Sequence, residues 1–200
     1  NNTACSNTAT VTVNAQPIIT GTLTVCIGAT TTLTGSGTPA AVNPWTSSNT
    51  GVATITNAGV VTGVAAGTTT ITYTNNNGCS NTATVTVNAQ PTITGPTAVC
   101  DGATITLTGS GTPAAVNPWT SSNTGVATVT NAGVVTGVNP GTTVITYTNN
   151  NGCSNTVTIT VNAQPTITGT LTVCVGSTTT LTGSGTPAAV NPWTSSNTGV

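Results

Sequence analysis

Six cysteines, one aspartate, three tryptophans and two tyrosines are the side chains of this 200-residue sequence with chemistry beyond packing. The cysteines stand at 5, 26, 79, 100, 153 and 174, and Asp101 is the single acidic residue. Lys, Arg, His, Met and Phe are absent, and the formal net charge is -1. General acid–base catalysis needs a titratable group near the working pH, so a Ser or Thr nucleophile here has no base to take its proton. Metal sites need converging His, thiolate or carboxylate ligands, which one Asp does not supply. With no basic side chains to neutralise phosphates, nucleic-acid binding is excluded as well. The sequence therefore implies no enzyme, no cofactor and no metal centre. What remains for the cysteines is the disulfide or a buried free thiol, and for Trp45, Trp119, Trp193, Tyr73 and Tyr147 the packing of a core, with stacking on sugars as the alternative for the tryptophans.

The elements that position these residues recur. Trp45, Trp119 and Trp193 are 74 residues apart, as are Cys5, Cys79 and Cys153, and Cys26, Cys100 and Cys174. Self-similarity at such a period is the signature of a tandem array. Comparing 17–90 with 91–164 leaves only 12 of 74 positions different. The expected organisation is a C-terminal strand of a preceding repeat at 1–16, repeats at 17–90 and 91–164, and the N-terminal half of a further repeat at 165–200. Both ends cut a repeat, so the chain reads as a window from a longer array. Most differences suit a strand or a turn: Ile55 to Val129, Val85 to Ile159, Ala83 to Val157, Thr31 to Ile105, and Ala65-Ala66-Gly67 to Asn139-Pro140-Gly141. The outlier is Ile27, replaced by Asp101 and then by Val175.

Within a repeat, apolar residues alternate with Thr over short runs, the pattern of half-buried strands. Leu23 and Val25 alternate with Thr22 and Thr24, Ile71 and Tyr73 with Thr70, Thr72 and Thr74, and Ala83, Val85 and Val87 with Thr82, Thr84 and Thr86. Runs at 30–34, 45–48, 52–56 and 60–64 bring the expected count to seven. Asn57-Ala58-Gly59 and Asn77-Gly78 are hairpin signals, since tight turns need left-handed backbone angles that Asn and Gly adopt cheaply. Seven short strands with a Trp on the third describe an all-β protein of tandem immunoglobulin-like sandwiches. In that arrangement Tyr73 and Tyr147 take the place of the tyrosine that pins a sandwich corner. Thr, Asn or Gly interrupts every apolar stretch, so no segment is long enough for a membrane helix.

The stretch Trp45-Thr46-Ser47-Ser48-Asn49, the Val52-Ala53-Thr54-Ile55 strand, the Gly59-Val60-Val61-Thr62-Gly63 hairpin and the Gly67-Thr68-Thr69-Thr70-Ile71 strand together resemble the bacterial immunoglobulin-like domain, group 2. The resemblance spans about two thirds of the repeat and recurs in the second copy. It implies a secreted or cell-surface protein in which such domains act as stalks, spacers or adhesin shafts, and it brings no catalytic residues. A pair of cysteines per repeat and the loss of nearly all charge depart from the commonest members. The cysteine pattern is more like related repeats in very long secreted proteins of gliding-type bacteria.

Two cysteines per repeat in a secreted β-array read as disulfides, because the spacing lacks the paired Cys-x-x-Cys of a zinc site. Two pairings stand open. Cys26 with Cys79 is the pairing within a repeat, but standard topology puts these turns at opposite ends of the sandwich. An eight-residue strand spans roughly 27 Å, against less than about 7 Å between the Cα atoms of a disulfide. End-to-end stacking would instead bring the Cys26 turn to the final hairpin of the next repeat, at Cys153. Cross-linking between chains is a third arrangement.

Missing charge bears on assembly too. Neutrality removes the repulsion that keeps proteins apart, and the lack of Lys leaves sheet edges unguarded. The expected role is a structural segment of a long secreted protein forming an extracellular filament, sheath or stalk, associating with copies of itself. The alternative is a rigid spacer of an adhesin whose binding tip lies elsewhere. Rows of outward Thr also admit attached sugars or, as a distant alternative, an ice- or glycan-binding array.

Overall fold

The computed structural model describes residues 7–198, so Cys5 lies outside the described residues. Every named element is a β-strand. In the first repeat these are β1 (Ile19–Gly21), β2 (Thr24–Cys26), β3 (Thr30–Gly35), β4 (Trp45–Ser47), β5 (Ala53–Ile55), β6 (Val60–Gly63), β7 (Gly67–Thr74) and β8 (Ser80–Asn88). They form two four-stranded sheets of order β1-β3-β6-β5 and β2-β8-β7-β4.

The expected Leu23–Val25 run is represented by β2, which pairs parallel with β8, and it is preceded by an unexpected strand, β1, which pairs antiparallel with β3 in the other sheet. The chain changes sheets after Gly21, whose φ of 124° lies outside the range L side chains favour. Leu23, expected to face inward, is partly exposed in this crossing, whereas Val25 is buried. If β1 and β2 are read as one strand serving both sheets, the sandwich has seven. On that reading Tyr73, on β7, stands on the sixth strand.

The core lies between the sheets and is built from Val25, Leu33, Trp45, Ala53, Val61, Ile71, Tyr73, Val85 and Val87. Alternation decides which residues enter it. Along β7, Thr69, Ile71 and Tyr73 are buried while Thr68 is exposed and Thr70, Thr72 and Thr74 are only partly covered. Cross-strand partners on the outer face are Thr with Thr: Thr68 with Thr86, Thr70 with Thr84, and Thr72 with Thr82. One corner is packed ring against backbone. Trp45 and Tyr73 are register partners with ring centroids 4.5 Å apart. The other side of the Tyr73 ring lies over Gly35, where an added Cβ would overlap three ring carbons. The Tyr73 hydroxyl donates to the Gly37 carbonyl at 3.3 Å, pinning a loop 36 residues upstream. A tyrosine corner would reach only a few residues back.

The second repeat carries β9 (Ile93–Thr94), β10 (Ala98–Cys100), β11 (Thr104–Thr106), β12 (Thr108–Gly109), β13 (Trp119–Ser121), β14 (Ala127–Val129), β15 (Val134–Gly137), β16 (Gly141–Thr148) and β17 (Ser154–Asn162). Its sheet β10-β17-β16-β13 has the order of β2-β8-β7-β4. The counterpart of β3 is interrupted, with β11 joining β15-β14 and β12 pairing with β9. Beyond it, β18 (Ile167–Gly169) pairs with β19 (Leu181–Gly183) in the register of β1 with β3.

Spatial clustering divides the chain into two compact units. One takes the described residues up to Ile93 together with Gly109–Pro118 and Tyr147–Asn155; the other takes Thr94–Thr108, Trp119–Thr146 and the described residues from Thr156 on. The first unit thus includes two loops from the second repeat.

Candidate functional site: the Cys26–Cys153 clasp

Cys26 ends β2 and opens a tight turn. The Ala29 amide donates to the Cys26 carbonyl at 3.0 Å, and Gly28, at φ 77°, supplies the positive angle a type II turn needs at its third position. The turn is clamped on two sides. Ile27 donates to Asn88 of β8 at 3.0 Å, and Gly28 donates to the Gly63 carbonyl at 2.9 Å. A Cβ at Gly63 would stand 2.6 Å from the Cys26 carbonyl oxygen, so only glycine lets β6 approach this closely.

Cys153 closes the hairpin between β16 and β17. Asn149 builds that loop. Its amide donates to the Cys153 carbonyl at 2.9 Å, and its side-chain oxygen accepts the amides of Asn151 at 3.1 Å and Cys153 at 3.0 Å. Gly152, at φ 76°, takes the left-handed position of a hairpin loop with three central residues. The first repeat builds the same loop on Asn75, with its oxygen accepting from Asn77 and Cys79. The Asn77-Gly78 signal therefore marks a longer loop than a two-residue turn, because Asn75 caps it from within. Asn75 and Asn149 are buried and carry this role, which the Asn-Asn-Asn-Gly run held unread.

The two turns meet. Cys26 and Cys153 form a disulfide with Cα atoms 5.6 Å apart and 127 residues between them in sequence. Pairing of Cys26 with Cys79 is overturned by strand register. Cys26 lies opposite Asn88 at the far end of β8, and Cys79 precedes Ser80 at the near end. At about 3.3 Å per residue, the intervening strand holds these sulfurs some tens of ångströms apart. The junction around the bond is tied down by side chains. Gln90 donates to the Ile27 carbonyl at 3.2 Å, and Asn155 donates to the Pro91 carbonyl at 2.9 Å. Cys153 is buried. Cys79, Cys100 and Cys174 are unpaired, the first half-buried and the other two exposed.

The Trp-Thr-Ser-Ser-Asn motif supplies a buried hydroxyl relay. Thr69 Oγ1 stands 3.1 Å from both Ser47 Oγ and Ser48 Oγ and accepts the Asn49 amide at 3.0 Å. Ser47 donates to the Ala53 carbonyl, so its contact with Thr69 requires Thr69 as donor. Ser48, which accepts from the Thr70 amide, in turn donates to Thr69. Every proton in the relay is thereby assigned. Thr143, Ser121, Ser122, Asn123 and Ala127 repeat it. Among the described residues no buried side-chain nitrogen or oxygen lacks a partner. These hydroxyls hold the turn after β4 in place.

Trp45 and Trp119 are in the core, and Trp193 is 49% exposed. Trp193 departs from the expectation that all three pack inside, and among the described residues its stretch has no counterpart of β7, the strand beside which Trp45 pairs. Asp101 lies in the turn after Cys100, its amide bonded to Asn162 at 2.8 Å. Among the described residues no group of three His, Cys, Asp or Glu could hold a metal ion, and no helix is long and apolar enough to cross a membrane.

Residues 8–87 and 87–161 each match the bacterial Ig-like domain (group 2) family. The chain belongs to that family, as two tandem domains. Similar solved structures include S-layer protein SbsC domains 4 and 5, at 24% identity over 74% of this chain and 99% of that one, with a TM-score of 0.35. The C-terminal 282-residue fragment of intimin, solved with the intimin-binding domain of its translocated receptor, is 18% identical over 78% of this chain and 67% of its own, with a TM-score of 0.48. Invasin, a bacterial integrin-binding protein, is 18% identical over 76% of this chain and 40% of its own, with a TM-score of 0.46. No curated protein matches the sequence. The chain is thus a tandem pair of bacterial Ig-like domains with a disulfide between Cys26 and Cys153.

Proposed function

We propose that this chain is a structural segment of a secreted bacterial array, forming an extracellular filament, sheath or stalk, with no catalytic activity of its own. Repeats 17–90 and 91–164 are its two complete domains, 1–16 the C-terminal end of a preceding one, although residues 7–16 do not form the strand expected there, and 165–200 the first half of another. The observation that carries the reading is the Cys26–Cys153 disulfide, which fastens one repeat of an uncharged tandem series to the end of the next. Such a bond suits an oxidising exterior, and the side chains around it make turns and joints. A neutral surface with Thr-lined sheets and no Lys at its edges favours self-association with identical repeats, and its outer Thr rows are acceptors for sugars. Immunogold electron microscopy with an antibody to the repeat tests the reading on native cells. Label along extracellular fibres is the expected result, and label confined to the cell interior would overturn it. Isolated beaded strings projecting from the surface would favour the second reading, a rigid adhesin spacer.

A further inference from the structure

Tension applied to a chain follows its covalent bonds, and the Cys26–Cys153 disulfide offers a path that skips the backbone between them. We propose that this bond is a load shunt: force entering from the N-terminal side leaves the backbone at Cys26 and rejoins it at Cys153, so β3 to β16 carry no tension. The proposal deepens the reading as a structural segment of an extracellular array and rests on it for its biological setting. Without the bond, load entering through β2 would cross to β8 by their parallel ladder, which is only three residue pairs long, Thr24 with Thr86, Val25 with Val87 and Cys26 with Asn88. Cys26 stands at the end of that ladder, where a covalent exit relieves it. Burial of Cys153 shields its own sulfur from thiols, which leaves the half-buried Cys26 as the side open to exchange.

The seats on both sides of the clasp occur twice. Cys79 Sγ lies 3.9 Å from the Asn14 carbonyl as Cys153 Sγ lies 4.0 Å from that of Asn88, and Asn81 holds Pro17 at 2.9 Å as Asn155 holds Pro91. On the other side Gln164 donates to the Asp101 carbonyl at 2.8 Å, as Gln90 does to Ile27. Cys174 repeats the position of Cys26 shortly after Cys153. Load therefore returns to the backbone for only a short stretch before the next cysteine of the same kind.

Single-molecule pulling on the full chain through its two ends tests the shunt. The oxidised protein is expected to extend to about 260 Å and the phosphine-reduced protein to about 700 Å, a gain of about 440 Å from the 127-residue span at about 3.5 Å per residue. Cys26→Ser is expected to reach the long extension with or without reductant, and Cys100→Ser to keep the short one until reduced. Full extension of the oxidised wild type, or no gain on reduction, would overturn the proposal. Should Cys26→Ser fail to fold, the oxidised and reduced wild type still decide the matter. Failure of the surface reading would show in the microscopy and leave these lengths unchanged.

Discussion

Leu33 and Leu181 hold the same place in the repeat, as do Trp45 and Trp193, and between 17–52 and 165–200 the two stretches differ at only three positions. Yet Leu33 is 1% exposed and Leu181 38%, and Trp45 is 6% exposed against 49% for Trp193. What survives in the later stretch is the pairing of β18 with β19, in the register of β1 with β3. What is missing is the Trp strand and the core. Each sheet of a sandwich presents one apolar face, and that face is buried only when the other sheet arrives. For Leu33 the residues of the facing sheet, Ile71, Tyr73, Val85 and Val87, come from the long antiparallel pair β7 and β8, and Trp45 pairs beside Tyr73 in that same sheet. Burial at position 33 is thus decided by strands that begin more than thirty residues later.

The most direct way to sharpen this contrast is to supply the absent strands. Adding the sequence 53–90 after Val200 is expected to convert the half-repeat into a third sandwich with its own cooperative unfolding, a gain of order 5 kcal/mol. In a background with Trp45 and Trp119 replaced by Phe, emission of Trp193 should shift to the blue and quenching by acrylamide should fall. Unchanged emission would break the comparison. Next in size, Leu33→Ala is expected to cost about 2–5 kcal/mol in chemical denaturation, whereas Leu181→Ala should change stability by no more than about 0.5 kcal/mol. Equal costs at the two sites would show that the later stretch is as well packed as the first.

Loss of one hydroxyl from the buried relay comes third. Thr69→Val leaves the Asn49 amide and two serine hydroxyls short of a partner, and the expected cost is about 1–3 kcal/mol. The neighbouring Thr70→Val should be nearly neutral, because its side chain faces outward and the second repeat carries Val144 there. The smallest effect concerns the turn where the repeats differ most in kind. Asn139 donates to the Gly125 carbonyl at 2.8 Å, and Pro140 limits the unfolded chain. Moving this pair into the first repeat as Ala65→Asn and Ala66→Pro is expected to add about 0.5–1 kcal/mol, read as a rise in Tm. A fall would mean that the turns differ in shape despite their shared Gly.

Much of the fold was legible because its signals are local. Thr-apolar alternation places Ile71, Tyr73, Val85 and Val87 on one face without reference to any other strand. Leu23 was misread for the same reason: it keeps the alternation, but the chain is crossing between sheets there. The serines of the Trp-Thr-Ser-Ser-Asn segment looked like a family mark and nothing more. Their partner, Thr69, stands in a strand twenty residues away, and the run of three Thr does not reveal which one turns inward. Asn75 was hidden in the same manner, as one Asn among three.

The sequence by itself determined the 74-residue period and the all-β class, since these depend on residue types and on spacing along the chain. Tertiary structure alone decided that Cys26 bonds to Cys153, that the chain changes sheets between β1 and β2, and that the Tyr73 ring packs over Gly35. The physical reason is common to all three outcomes. A disulfide, a strand pairing and a buried ring each depend on which distant segment comes within a few ångströms, and period and alternation do not encode that distance.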